Sequence, residues 1–170
     1  MILDLLKNSI EQGLLCGTYK DKVFSSTSKK QIADVGLDAN GVHWLCEIRM
    51  KGFDFDYDII NKEFKNFING KYHFTSKPND NGASYTSSMY CCYNENVTIN
   101  TTVTSFLNCK TKITIDEYDY VSIHLDSNCD VDVFCPKKSK CRIYLYGNAI
   151  VRTSGEGSVK IINVNKDECN

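Results

Sequence analysis

Nine cysteines and three histidines are the residues of this sequence whose chemistry suits metal binding or nucleophilic catalysis. His43, Cys46, Cys91 and Cys92 would supply four zinc ligands. Adjacent cysteines rarely chelate one ion, however, and the chain has no Cys-x-x-Cys pair to nucleate a site. With nine cysteines, a pairing of some cysteine with some histidine is too unspecific to indicate a nucleophile. We therefore expect no metal and no cofactor.

Three alternating acids, Asp54, Asp56 and Asp58, resemble the start of a calcium-binding loop. Such a loop needs glycine at its sixth position and an acid at its twelfth. Counted from Asp54, those positions hold Ile59 and Lys65. This excludes calcium binding of that type and predicts a solvated segment that runs into a helix cap.

The acids Asp130 and Asp132 share one strand face, as converging carboxylates do in solenoid enzymes that cleave polysaccharides. The surrounding repeats are too few to build a substrate groove. The sequence also lacks a Gly-x-Ser-x-Gly elbow and a phosphate-binding glycine loop. These observations predict a protein that is not an enzyme.

Aromatic residues and an arginine form the one surface pattern that indicates binding. If Val121, Ile123 and Leu125 point inward, strand alternation points a second set outward, namely Tyr120, His124, Phe134, Arg142, Tyr144 and Tyr146. Tyr and Arg are enriched at protein interfaces. The alternative is that this face packs on the N-terminal helices. A platform for nucleic acid is a weaker interpretation. Lys137, Lys138 and Lys140 support it, whereas Asp130 and Asp132 oppose it.

The N-terminal half is predicted to be mainly helical. Residues 2–15 have apolar side chains at helical spacing and end near Gly17. Residues 28–36 fit a short helix. Residues 42–50 fit either a strand or a helix, and their Glu, Arg and Met content favours the helix. A further helix is predicted from a cap at Asp58 to Gly70.

The C-terminal half carries short apolar alternations that begin at residues 113, 121, 131, 141, 149 and 159. Two successive steps amount to about 18 to 20 residues, which suits the coil of a solenoid. The sequence therefore predicts an α+β protein with a helical head over residues 1–75, a linker loop over 76–89 and a β-repeat region over 90–165. A short β-solenoid is favoured, and a β-sandwich is the alternative. Cys129, Cys135 and Cys141 are expected in its core.

Length and composition set limits on the class of protein. The chain has 170 residues, 42% hydrophobic and 24% charged, with a net charge of -1. These values are typical of a folded globular protein and argue against a nucleic-acid-wrapping protein. No apolar run is long enough for a membrane helix. The start has no basic leader and the cysteine count is odd, so we expect reduced thiols in a cytoplasm.

A resemblance adds an expectation about origin. The segments Glu11–Cys16, Gly52–Tyr57 and Asn69–Tyr72, followed by the β-repeat Ile143–Arg152, resemble small uncharacterised proteins encoded by phages and mobile elements of gut anaerobes. The resemblance spans most of the chain. It implies a helical head on a β-repeat tail and a phage or prophage origin. It implies no activity and no site residues.

The sequence thus predicts non-enzymatic binding to a protein partner, either a host factor, such as a defence component, or a second copy of the chain. Membrane association is not expected, and nucleic acid is disfavoured. The location expected is the bacterial cytoplasm, with the virion as an alternative. Two other functions stay open: a virion structural protein such as a capsid decoration, and a glycan-binding or glycan-cleaving solenoid.

Overall fold

The computed structural model describes residues 17–38, 41–53, 55–68, 74–75, 86–116 and 120–164. The helix predicted over residues 2–15 lies outside these ranges. So do residues 76–85, which form most of the predicted linker loop. The described N-terminal part contains the helices α1 (Gly17–Ser25), α2 (Lys29–Gly36), α3 (Trp44–Met50) and α4 (Tyr57–Phe64).

Local hydrogen bonds explain where two of these helices begin. Ser28 and Gln31 form a capping box at the start of α2, which confirms the helix predicted there. The cap of α4 is Asp56 and not Asp58, so that prediction was wrong by two residues. The Asp56 carboxylate accepts from the backbone N–H groups of Asp58 and Ile59. A capping side chain must lie before the helix, because it reaches the N–H groups two and three residues ahead.

Ten strands follow. Their bounds are β1 (Phe74–Thr75), β2 (Thr86–Cys91), β3 (Val97–Ile99), β4 (Val103–Leu107), β5 (Lys110–Ile115), β6 (Tyr120–Leu125), β7 (Asp130–Phe134), β8 (Lys140–Tyr146), β9 (Ile150–Ser154) and β10 (Ser158–Val164).

The strands form two sheets. Sheet A has the order β1-β2-β4-β6-β8-β10, and sheet B has the order β3-β5-β7-β9. Every pairing is parallel except that of β1 with β2. From β2 onward, successive strands alternate between the two sheets, and each coil stacks in register on the previous one. This confirms a short β-solenoid of about four coils and excludes the sandwich, whose strands are antiparallel.

The solenoid core is built from one inward residue row per strand. Val121, Ile123, Val131, Val133 and Ile143 are fully buried, as their alternation predicted, whereas Leu145 is only half-buried. Cys129, Cys135 and Cys141 fill core positions as small apolar side chains. The last described turn needs a glycine: Gly155 has a φ of +97°, and a Cβ there would lie 2.2 Å from the Cys135 carbonyl oxygen.

The helices pack on sheet A and share one apolar core with it. Helix α3 lies against β4 and β8, and α4 lies against β2. Met89, Cys91, Leu107 and Tyr146 of the sheet are buried in a cluster with the apolar sides of α2, α3 and α4. One side of the solenoid is thereby covered, whereas none of the described helices packs on the outer face of sheet B.

A buried carboxylate joins the two parts at this contact. Asp126, at the end of β6, is fully buried. It accepts from the hydroxyl of Tyr57 at 2.5 Å and from the backbone N–H groups of Asn108 and Asn128 at 3.0 and 3.1 Å. A buried carboxylate is tolerated only when donors surround it, so this bonding pattern holds α4 against two adjacent solenoid turns.

Candidate functional site

Strand register decides which of the predicted binding residues are free on sheet A. His124, Tyr144 and Ile162 are neighbours in one outward row, and Tyr146 and Val164 are neighbours in the next. Both rows run beneath the helices. Tyr144 and Val164 pack against the helical core, and Tyr146 is buried in it.

His124 shows how closely the helices cover these rows. Its ring stacks between His43 and Tyr144, with centroid distances of 4.7 and 4.5 Å. Its Nδ1 lies 2.9 Å from the hydroxyl oxygen of Tyr146. Burial, reinforced by the neighbouring His43, lowers the His124 pKa from 6.5 to about 3. The imidazole is therefore neutral at physiological pH and acts as a packing group.

Three of the six predicted residues thus belong to the contact with the helices. His124, Tyr144 and Tyr146 pack on the helices, as the alternative prediction for the outward face stated. Alternation predicted correctly that these side chains point away from the solenoid core. It carries no information on which outward side chains another part of the chain covers.

The free part of sheet A lies at the opposite ends of the same strands. Tyr120, Lys140 and Ser158 are neighbours in one row, and Ser122, Arg142 and Lys160 are neighbours in the next. We define the basic–aromatic strip as the four exposed residues Tyr120, Lys140, Arg142 and Lys160.

The strip combines an aromatic ring with three adjacent cations. The Arg142 guanidinium lies 5.2 Å from the centre of the Tyr120 ring, which is 45% exposed. Neighbouring strands are about 4.8 Å apart, so Arg142 and Lys160 stand side by side. Among the described residues no carboxylate forms an ion pair with Lys140, Arg142 or Lys160. Like charges at such spacing repel one another, and an acidic ligand would relieve the repulsion.

Phe134 does not lie on this face, so the prediction of one continuous binding surface was wrong. It belongs to β7 in sheet B, whereas the other five predicted residues belong to β6 and β8 in sheet A. Period-2 alternation distinguishes inward from outward positions, but in a two-sheet coil it does not say which sheet carries a residue. Phe134 is 47% exposed and borders a shallow depression of about 590 Å³ with Thr98, Thr114 and Lys137.

The carboxylate pair on sheet B is engaged by an arginine that sequence reasoning missed. Asp130 and Asp132 do share a face, but Arg152 of the next coil lies opposite Asp132. Its Nη2 is 2.7 Å from Asp130 and its Nε 2.5 Å from Asp132. These bonds raise the pKa of Arg152. The pair is therefore arranged as an ion-pair network, and the coil repeat of about 20 residues was the signal that could have located Arg152.

Three of the described thiols, those of Cys46, Cys91 and Cys141, are in surroundings that disfavour nucleophilic chemistry. Desolvation raises the pKa of Cys46 and of Cys91 well above the usual range, and raises that of Cys141 to about 12. A thiol held neutral is a weak nucleophile. Within the described ranges, no group of three His, Cys, Asp or Glu side chains is placed to hold a metal ion.

The helical part also contains an apolar pocket of about 80 Å³. It is bordered by α1, α2, α3 and α4, with Val23, Ile32, Trp44 and Phe64 among its walls. Binding sites for small molecules need a few polar groups that orient the ligand. This wall is almost entirely apolar, so the pocket does not specify a ligand.

No family model, curated protein or solved structure matches the chain. None of the helices in the described ranges combines the length and the hydropathy needed to span a membrane.

Proposed function

We propose that this protein is a non-enzymatic binding protein whose basic–aromatic strip engages an acidic surface on a protein partner. The main support is the row of exposed cations on β8 and β10 beside the Tyr120 ring. Among the described residues, no carboxylate is paired with these cations. Arginine and tyrosine dominate the energy of many interfaces, because a rigid ring and a guanidinium fork lose little entropy on binding.

An acidic protein fits the strip better than nucleic acid does. The strip spans three adjacent strands, a width of about 10 Å, and contains three cations. Nucleic-acid binding draws on a longer row of phosphate contacts and usually on a basic domain. The chain as a whole carries a net charge of -1.

The nature of the partner is a further part of the proposal. The resemblance to phage and mobile-element proteins supports a partner in the bacterial cytoplasm, a host factor such as a defence component. That part rests on the sequence resemblance alone. A virion structural role is the alternative, and it would be revealed by the chain in purified particles.

Charge reversal on the strip tests the proposal. The tagged protein is expressed in the bacterial host, and co-purified proteins are quantified by mass spectrometry. Arg142→Glu and Lys160→Glu are expected to reduce recovery of a specific partner at least tenfold. The matched control is Lys65→Glu, which reverses one exposed charge after α4. Equal recovery with all variants would overturn the proposal.

Two alanine variants separate binding from packing. Arg142→Ala should weaken association by about 1 to 4 kcal/mol and leave the melting temperature nearly unchanged, because its side chain is exposed. Tyr144→Ala should lower the melting temperature, because that ring stacks on His124 beneath the helices. A binding defect for Tyr144→Ala without loss of stability would contradict this division of the outward face.

The depression on sheet B supports glycan binding as a second candidate function. Phe134 offers an exposed ring on which the apolar face of a sugar could stack. Hydroxyls of Thr98 and Thr114 stand in the same row. The salt bridge between Lys137 and Glu156, at 3.5 Å, lies at its edge and supplies both donors and acceptors.

A glycan array tests this second candidate. Binding that is lost in Phe134→Ala and retained in Ile150→Ala would support it, because Ile150 is an equally exposed apolar residue on the same sheet. An array without ligands, or identical loss in both variants, would exclude the depression as a sugar site.

A further inference from the structure

The last coil exposes residues that occupy core positions. Val159 and Ile161 continue the inward row of Cys141 and Ile143. Cys141 and Ile143 are buried, whereas Ile161 is 45% exposed and Val159 is half-buried. Among the described residues no further coil follows, so the end of the core faces solvent. Solenoids need such an end to be covered.

The backbone of this coil is also open on one side. In the described structure β10 pairs only with β8, and β9 pairs only with β7. An edge strand presents a row of unused N–H and C=O groups that pairs readily with another strand. At the other end of sheet A, β1 pairs antiparallel with Thr86 and Ser87, the first two residues of β2.

The usual protection against edge pairing is weak here. Natural edge strands carry charges or prolines that discourage pairing. Strand β10 has the sequence Ser-Val-Lys-Ile-Ile-Asn-Val, with Lys160 as its one charge. On β9 the charge of Arg152 is compensated by Asp130 and Asp132. The end is thus suited to accept a strand.

We infer that two copies of this chain associate end to end about a two-fold axis, with β10 of one copy antiparallel to β10 of the other. A head-to-tail stack is disfavoured because β1 occupies part of the opposite edge of sheet A, at Thr86 and Ser87 of β2. A two-fold pairing centred on Ile161 places the two Ile161 side chains against each other. Lys160 then faces Ile162, so no like charges stand directly opposite.

The size of this contact makes the dimer weak. A seven-residue strand is about 23 Å long and the two sheets lie about 10 Å apart, so the end buries a few hundred Å² per copy. Stable complexes bury about 800 Å² per partner. The dimer should therefore form in the micromolar range or above and dissociate on dilution. The inference does not rest on the acidic partner proposed for the strip, although Lys160 of β10 belongs to both surfaces.

Sedimentation velocity over a range from about 1 to 500 µM tests the inference. The wild-type protein should shift towards the mass of a dimer as concentration rises. Ile161→Lys should stay monomeric, because it places two like charges at the axis. Phe134→Lys, which makes the same kind of change at an exposed apolar residue one coil away, should dimerise like wild type.

A second measurement keeps the inference open to failure if Ile161→Lys does not fold. Hydrogen exchange of wild-type amides along Ser158–Val164 should slow at least severalfold between the monomeric and the dimeric concentration. A monomer at all concentrations, dimerisation of a folded Ile161→Lys variant, or growth into open polymers would each overturn it. Unchanged exchange in β10 would do the same.

Discussion

His124 illustrates how a single residue ties stability to pH. It is buried between two rings and its pKa lies near 3, well below the value of 6.5 expected in the unfolded chain. Above about pH 6.5 the imidazole is neutral in both states. Between these two values the unfolded chain binds a proton that the folded chain does not, so the free energy of unfolding falls as the pH falls.

Replacing His124 should remove this pH dependence. In wild type, the free energy of unfolding should decrease by up to about 1.4 kcal/mol per pH unit below pH 6, beyond the contribution of the carboxylates. His124→Gln should lose that extra slope while keeping a side chain that can bond Tyr146. Denaturant titrations from pH 7.5 to 5.0 measure both slopes. Parallel curves for the two proteins would contradict a neutral, buried His124.

The cysteines give a second prediction at the level of single residues. Six of the seven in the described ranges are buried free thiols, and Cys92 is half-buried. Ellman's reagent should therefore react with those six only as the chain unfolds, and with Cys92 sooner. Reductant should leave the melting temperature almost unchanged. A drop equivalent to several kcal/mol would indicate disulfides that stabilise the fold.

At the level of elements, one inward row shows how the position of a coil in the stack determines the burial of its side chains. The row consists of Ile123, Ile143 and Ile161. All three hold the same inward position in successive coils of sheet A. Ile123 and Ile143 are fully buried, whereas Ile161 is exposed at the end. The residue type and the inward position are the same, whereas the number of flanking coils differs.

Truncating two members of this row should separate the effect of burial from that of β-propensity. Ile143→Ala should lower the free energy of unfolding by about 2 to 5 kcal/mol, as loss of a buried side chain and the resulting cavity do. Ile161→Ala, measured at concentrations where the chain is monomeric, should cost clearly less. Chemical denaturation gives both values. Equal costs would contradict the exposed position of Ile161.

These elements were predictable from sequence to different degrees. The solenoid coils follow from strict alternation and regular spacing, because the core accepts one apolar row per strand. Helix α2 follows from its capping box. The cap of α4 was misplaced because three alternating aspartates offer equivalent side chains. The covered half of the outward face was not predictable, since packing of α3 on β4 and β8, and of His43 on His124, brings together residues far apart in sequence.

At the scale of the whole molecule, the helices and the solenoid are expected to behave as one folding unit. Their apolar residues form a shared cluster, and the Tyr57 hydroxyl bonds the buried Asp126 carboxylate across the contact. Burial and the Asp126 carboxylate raise the pKa of Tyr57, so it stays a donor at all ordinary pH values. Separation of the helices from the solenoid would expose both Asp126 and the apolar face of sheet A to water.

Unfolding should therefore be a single transition for both parts. The one tryptophan, Trp44, reports on the helices through fluorescence, and far-ultraviolet circular dichroism near the strand minimum reports on the solenoid. The two denaturation midpoints should coincide in wild type. Tyr57→Phe should lower both midpoints together, because it removes a hydrogen bond to a buried carboxylate. The shift should correspond to a loss of about 1.5 to 3 kcal/mol in the free energy of unfolding. Tyr93→Phe should shift neither, because the Tyr93 hydroxyl bonds an exposed Glu95 at 3.4 Å. Midpoints that separate, or a Tyr57→Phe shift confined to the fluorescence signal, would show instead that the helices melt off a solenoid that is stable by itself.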